Sequence, residues 1–159
     1  MEPVEGLDRT LAARDTALRL LGRREHSRRE LVTKLAQRGY ESSLAQSVID
    51  ELEEEGLQSD LRYAEAFVHD RRGRLQGPLK ILSELQRRGV SRVFIETALD
   101  PYSGEWVELA SAFIEKRNMA PLVSEFDLRQ KVYRSLVNRG FSHDEAIAAI
   151  DEINSNPAE

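Results

Sequence analysis

One six-residue phrase occurs three times in this chain. Leu35–Ala36–Gln37–Arg38–Gly39–Tyr40 returns as Leu85–Gln86–Arg87–Arg88–Gly89–Val90, and again as Leu136–Val137–Asn138–Arg139–Gly140–Phe141. The glycines at 39, 89 and 140 recur at intervals of 50 and 51 residues. A period of that length fits tandem helical units, each too small to bury its own apolar face and so obliged to stack on a neighbour. Such arrays present long surfaces suited to binding other macromolecules.

Each unit reads as three short helices. In the first, Leu11, Leu18, Leu20 and Leu21 mark a helix from about Asp8 to Gly22. Ser27–Arg28–Arg29–Glu30 reads as a capping box, and Leu31 and Leu35 continue on one helical face. With Gly39 as the left-handed stop, Leu35 and Tyr40 occupy the two positions whose apolar contact accompanies a Schellman motif. Leu85/Val90 and Leu136/Phe141 repeat the pairing. A third helix, about Ser43 to Glu55, buries Leu44, Val48, Ile49 and Leu52. Its acidic end, Glu53–Glu54–Glu55, opposes the helix dipole and asks for a basic neighbour or a partner. Gly56 stops it.

The second unit starts at Ser59 or Asp60, either able to cap, with Leu61, Ala64, Phe67 and Val68 on the buried stripe. Gly77–Pro78 opens its second helix, since proline suits the first helical position. Ile81 and Leu85 follow, and a short helix spans about Ser91 to Leu99. In the third unit Trp106, Leu109, Ala110, Phe113 and Ile114 mark the first helix and Val132 and Leu136 the second. Ser142–Glu145 forms another capping box ahead of Ile147, Ile150 and Ile153. The segment Asn118–Pro121 reads as the least constrained internal loop, and the tail after Asn154 as frayed. The expected fold is all-α. Three tandem three-helix repeats, 8–56, 57–100 and 103–154, form an elongated, curved right-handed-type helical array. A single compact globule explains the strict period less well.

Chemistry-bearing patterns are sparse. There is no cysteine, which excludes disulfides and thiolate sites. His26, His69 and His143 lie far apart and form no metal-binding spacing. The carboxylates at Asp50–Glu51 and Glu53–Glu55 lack the alternating ligands and central glycine of a calcium loop. Gly73 and Gly77 belong to no phosphate-binding loop. No catalytic residue, metal or cofactor is assigned, so the expected function is binding. The opening residues lack signal-peptide character, and no apolar run approaches the roughly 20 residues that span a bilayer. A cytoplasmic protein with no membrane association is expected.

Net charge is −5, unevenly spread. Residues 11–40 carry eight basic and three acidic side chains, and residues 61–92 repeat that balance. Residues 41–60 carry seven acidic and no basic ones, and residues 93–159 carry twelve against six. The basic blocks can meet phosphate locally, although the whole surface is ill suited to avid non-specific DNA binding.

The most specific stretch is Leu57–Gln58–Ser59–Asp60–Leu61–Arg62–Tyr63–Ala64–Glu65–Ala66–Phe67–Val68, followed by Arg71–Arg72–Gly73–Arg74, Gly77–Pro78 and Ser83–Glu84–Leu85–Gln86–Arg87–Arg88–Gly89. It closely resembles the RecX family of recombination regulators. Arg23, Ser27, Glu30–Leu31, Lys34–Leu35 and Arg38–Gly39–Tyr40 resemble the family's opening pattern. The resemblance spans about residues 10 to 153. Gln58–Ser59 departs from it where many relatives carry an acidic residue beside Asp60.

The resemblance implies three tandem three-helix repeats that bind the RecA recombinase filament, with single-stranded DNA reached through it. It implies inhibition of filament extension, ATPase, strand exchange and coprotease activity, and so modulation of recombination, DNA repair and the SOS response; a monomer is expected. Candidate filament-facing residues are Arg71, Arg72, Arg74, Lys80, Arg87 and Arg88, with Arg23, Arg24 and Arg28. Asp60, Arg62, Tyr63 and Phe67 carry the motif, and Gly39, Gly89 and Gly140 carry the structural stops. Helix-end arginines such as Arg38, Arg88 and Arg139 also have a simpler role as complements to the helix dipole. Tyr63 and Phe67, spaced i, i+4, read as core. The alternative function is a nucleic-acid-binding helical repeat protein that acts without RecA.

Overall fold

The computed structural model describes residues 2–156. Its helices are α1 (Glu2–Arg23), α2 (Arg28–Gln37), α3 (Ser42–Glu54), α4 (Asp60–Gly73), α5 (Pro78–Arg87), α6 (Arg92–Leu99), α7 (Trp106–Lys116), α8 (Phe126–Arg139) and α9 (His143–Ser155). Short 3-10 turns occupy Asp100–Tyr102 and Ala120–Ser124. No strand occurs among the described residues. Within each unit the first and second helices pack on the third: α1 and α2 on α3, α4 and α5 on α6, α7 and α8 on α9.

The repeated glycine does what its spacing predicts. Tyr40 N–H donates to the Leu35 carbonyl and Gly39 N–H to that of Ala36, with Gly39 at φ +87°. Val90/Leu85 and Phe141/Leu136 repeat the bond at 3.1 Å. Each second helix therefore ends in a Schellman motif, which satisfies carbonyls the helix leaves orphaned. Ser27, Ser59 and Ser142 each cap a helix through the side-chain oxygen.

Several local expectations need correction. The first helix starts at Glu2 rather than Asp8, and Leu11 on it is 55% exposed, so Ala13, Ala17 and Leu20 provide the buried stripe. Ile147 is likewise exposed, because Ala146, Ala149 and Ile150 face inward. The box at Ser27 is only half formed: Glu30 turns away from the Ser27 backbone to pair with Arg24 at 2.7 Å. At Ser142 both halves are present. Asp60 is the first helical residue, with Ser59 as the cap. The segment after Asn118 is a 3-10 turn with Val123 buried against unit three, not a loose loop. Residues 157–159 of the expected frayed tail lie outside the described residues, and α9 itself continues to Ser155.

The acidic end of α3 finds its basic neighbours within unit one. Arg28 pairs with Asp50 at 2.5 Å and Glu53 at 3.1 Å, and Arg14 reaches Glu55 at 2.6 Å. Those cations sit where the helix dipole alone would favour positive charge.

The units join in two different ways. Units two and three share one apolar cluster running from Tyr63 to Ile150. Unit one keeps its own clusters, around Leu31, Leu35 and Ile49 and around Ala17, Val48 and Leu52. The unit one–two junction is instead polar. His26, Ser27 and Gln58 are buried there, and the Gln58 amide donates to the His26 carbonyl and to Asp60.

The second helices align end to end. Gly77 N–H donates to the Arg139 carbonyl at 3.0 Å and Leu79 N–H to the Gly140 carbonyl at 2.9 Å, so orphan carbonyls of α8 satisfy orphan amides of α5. A Cβ on Gly77 would lie 2.3 Å from the Gly140 carbonyl carbon, which is why glycine stands there. At the next joint the Arg29 guanidinium donates to the Arg87 carbonyl. At the far end Arg9 donates to the Gly39 carbonyl at 3.0 Å.

The resulting molecule is elongated and curved. It exposes 9802 Å², against about 8,100 Å² expected of a compact 18.1 kDa chain.

Candidate interaction groove

Between units one and two lies an open groove of about 370 Å³, lined by Arg24, Glu25, Tyr63, Ala66, Phe67, Asp70, Arg71 and Arg88. Helix α4 supplies its floor. Tyr63, Phe67 and Arg71 follow one another at i, i+4 and i+8, so they share a face. The aromatic bodies are buried and the guanidinium groups lie over them. Arg71 stands 4.5 Å and Arg88 5.0 Å from the Phe67 ring centre. Arg88 also donates to the Tyr63 hydroxyl at 3.0 Å.

Arg71 is held loosely. Its nearest carboxylates are Glu84 at 3.7 Å and Asp70 at 3.8 Å, and its buried Nε has no hydrogen-bond partner. A guanidinium stacked on an aromatic face, with its Nη groups in no short ion pair, can grip a carboxylate or phosphate in a fixed geometry. A shallower pocket lined by Ser27, Arg29, Glu30, Thr33, Lys34, Gln37 and Arg88 adjoins it through Arg88.

His26 sits behind the groove, 2% exposed. Its Nδ1 lies 3.0 Å from the Arg24 carbonyl, which can only accept, so Nδ1 carries the proton and Nε2 accepts from Lys34 at 3.1 Å. Burial holds this imidazole below its ordinary value, with the Arg24 and Lys34 charges adding to the effect, and the hydrogen bond to the Arg24 carbonyl and the Glu30 charge opposing it.

The groove unites five residues singled out in the sequence: Arg24, Arg71, Arg88, Tyr63 and Phe67. It does not gather the rest. Arg72 points the other way, 3.9 Å over Tyr102 and paired with Glu105 at 3.1 Å, where it fastens unit two to unit three. Arg74 is exposed and pairs with Asp70. Lys80 lies at the unit two–three joint, its Cβ against Gly140. Arg87 contributes its carbonyl to the joint with unit one. Arg28 is tied to α3, and Arg23 is exposed at the end of α1. The run Arg71–Arg72–Arg74 is thus not one basic patch, because neighbours in a helix point in different directions.

Sequence reasoning missed the role of Asp60. Its carboxylate accepts from the Arg28 N–H at 2.8 Å and so caps α2 from another unit. Arg62 pairs with Glu25 at 3.2 Å across the same junction. Among the described residues no cluster of His, Asp and Glu could hold a metal ion, and no helix is long and apolar enough to cross a membrane.

Known proteins share this arrangement. Residues 13–52 match the model of the RecX first three-helix domain, residues 59–99 the second and residues 104–150 the third. The chain is 42% identical over 144 residues to the regulatory protein RecX of Halorhodospira halophila, covering 89% of each. It is 42% identical over 132 residues to that of Chromohalobacter salexigens, covering 83% of this chain and 86% of the relative. The crystal structure of RecX from Lactobacillus salivarius superposes with a TM-score of 0.84 at 26% identity, covering 94% of this chain and 99% of the other. The chain therefore belongs to the RecX family of regulatory proteins, and its three units are the family's three domains in order.

Proposed function

We propose that this protein is a negative regulator of RecA that acts by binding the RecA–single-stranded DNA filament. It limits filament extension, ATPase, strand exchange and coprotease activity, and thereby modulates recombination, repair and the SOS response. The observation that carries this reading is the groove, in an elongated member of the RecX family, where Arg71 and Arg88 crown Phe67 and Arg71 has no carboxylate closer than 3.7 Å. A curved rod with guanidinium groups along a groove suits a helical filament that presents acidic side chains and phosphate. The protein works as a monomer in the cytoplasm.

The test is RecA ATPase on single-stranded DNA, titrated with the parent chain and with an Arg71→Ala/Arg88→Ala variant of equal helicity. Inhibition by the parent and a loss of about tenfold or more in potency for the variant support the reading. No inhibition by folded parent protein sinks it. Equal inhibition by both moves the contact surface out of the groove.

A further inference from the structure

The two joints of the array bury different side chains at matching places. His26 stands two residues before the start of α2, and Gln76 two residues before the start of α5. They are 2% and 4% exposed. Beside Gln76, units two and three share one apolar cluster, whereas beside His26 unit one keeps its clusters to itself. The joint without an apolar seam is the one that buries a titratable ring.

The neutral imidazole holds that joint together. Its Nδ1–H donates to the Arg24 carbonyl at 3.0 Å, and its Nε2 accepts from the Lys34 ammonium at 3.1 Å, so the ring clamps the end of α1 onto α2. The His26 carbonyl accepts from the Gln58 amide at 3.3 Å, and the same amide nitrogen reaches Asp60 at 3.0 Å, which carries the connection into unit two. The charged groups around the ring are Arg24 beyond the end of α1, Glu30 and Lys34 on α2, and Asp60 on α4 behind Gln58. From α5, Arg88 lines the pocket that Glu30 and Lys34 also line. Among the described residues Glu30 is the one carboxylate within 4 Å of the ring, 3.4 Å from Nε2.

A proton on Nε2 turns that nitrogen from acceptor into donor. It then faces Lys34, which can only donate, with a positive charge on each side. Glu30 is the available acceptor, but Arg24 already pairs with it at 2.7 Å. One carboxylate is left to balance three cations. In a conformer where the joint opens and the ring meets water, the imidazole binds its proton with ordinary affinity. Acid therefore shifts the balance toward that conformer.

We propose that His26 is a pH-sensitive pin between units one and two. Neutral, it locks the joint. Protonated, it releases Lys34 and lets unit one swing away, widening the groove that Arg24 lines with Arg71 and Arg88. Unit two, with Gln76 in the matching place, carries no such pin toward unit three. The pin stands on the geometry of the joint, and its consequence for filament binding rests on the proposed function.

The test needs no RecA, so its failure is separate from any failure of that reading. The chain has no cysteine, and Ser47 on α3 and Thr97 on α6 are exposed. Ser47→Cys and Thr97→Cys place one spin label on each side of the joint, and label separation is measured between about pH 7.5 and 5.5. The parent is expected to gain a longer, broader component with a midpoint below 6.5, the ordinary value for histidine. His26→Gln, which installs the side chain of unit two, should hold one separation throughout. Lys34→Gln should blunt the response while keeping the neutral-pH distance, because an amide can accept from the protonated ring as well as donate to the neutral one. A parent whose separation stays constant as the His26 ring signal titrates overturns the pin. So does an equal acid response in the parent and both variants.

Discussion

The Asp60 carboxylate caps a helix that begins 32 residues before it, accepting from the Arg28 N–H at 2.8 Å. Asp60 is itself the first residue of α4, which Ser59 caps, so its side chain is free to tie the start of α2 to unit two. Asp60→Ala should cost about 1–2 kcal/mol, the usual worth of such a cap. Asp60→Asn, which keeps an acceptor, should retain most of it. Urea denaturation gives the energy, and hydrogen exchange at residues 28–31 gives the location. Unchanged protection there in Asp60→Ala would refute the assignment.

Two glycines should respond in opposite directions. A Cβ at Gly77 meets the Gly140 backbone at 2.3 Å, whereas one at Gly73, inside the last turn of α4, meets nothing within 4 Å. Gly77→Ala should destabilise the chain by about 2 kcal/mol or more, because backbone rather than a pliant side chain must move. Gly73→Ala should stabilise it by about 0.5 kcal/mol through the unfolded chain's lost freedom. Thermal melts of the pair decide the matter.

His26 makes stability depend on acidity. Its folded-state value lies below the ordinary 6.5. The unfolded chain therefore binds the proton first as pH drops, so stability is full above about 6.5 and declines from there down through the folded value. The denaturation midpoint should fall between pH 7.5 and 5.5, and His26→Gln should flatten that drop. An identical slope in parent and variant would place the titrating group elsewhere.

Arg71 and Arg72 are adjacent but should separate in function. Arg72 stacks on Tyr102 and pairs with Glu105, so Arg72→Ala should lower stability by about 1 kcal/mol while leaving filament inhibition intact. Arg71→Ala should do the reverse. Paired ATPase and melting measurements on both variants test this, and loss of inhibition on removing Arg72 alone would contradict the assignment.

What could be read from sequence was local. The stops at Gly39, Gly89 and Gly140 and the caps at Ser59 and Ser142 follow from residues within one turn of each other. Helix α4 shows the limit of that logic. It runs through Gly73 and stops at Leu75, held at φ +59° by the same bond pattern that glycine serves elsewhere. The candidate site was half legible. Arg71, Arg88 and Phe67 were identifiable as types, but their convergence depends on how α4 meets α5. Arg72's rotation away from them, and Asp60's bond to Arg28, are set by contacts between units, which a repeat period does not encode.

Arg9 gives the array its ending. At both internal joints the C-terminus of a second helix is met by the start of another unit's second helix, yet at Gly39 the carbonyl is taken by an arginine from the chain's own first helix. That side chain occupies the berth of a further unit. A fourth copy stacked on this end would have to evict it, so a single guanidinium closes the surface on which the array could otherwise grow.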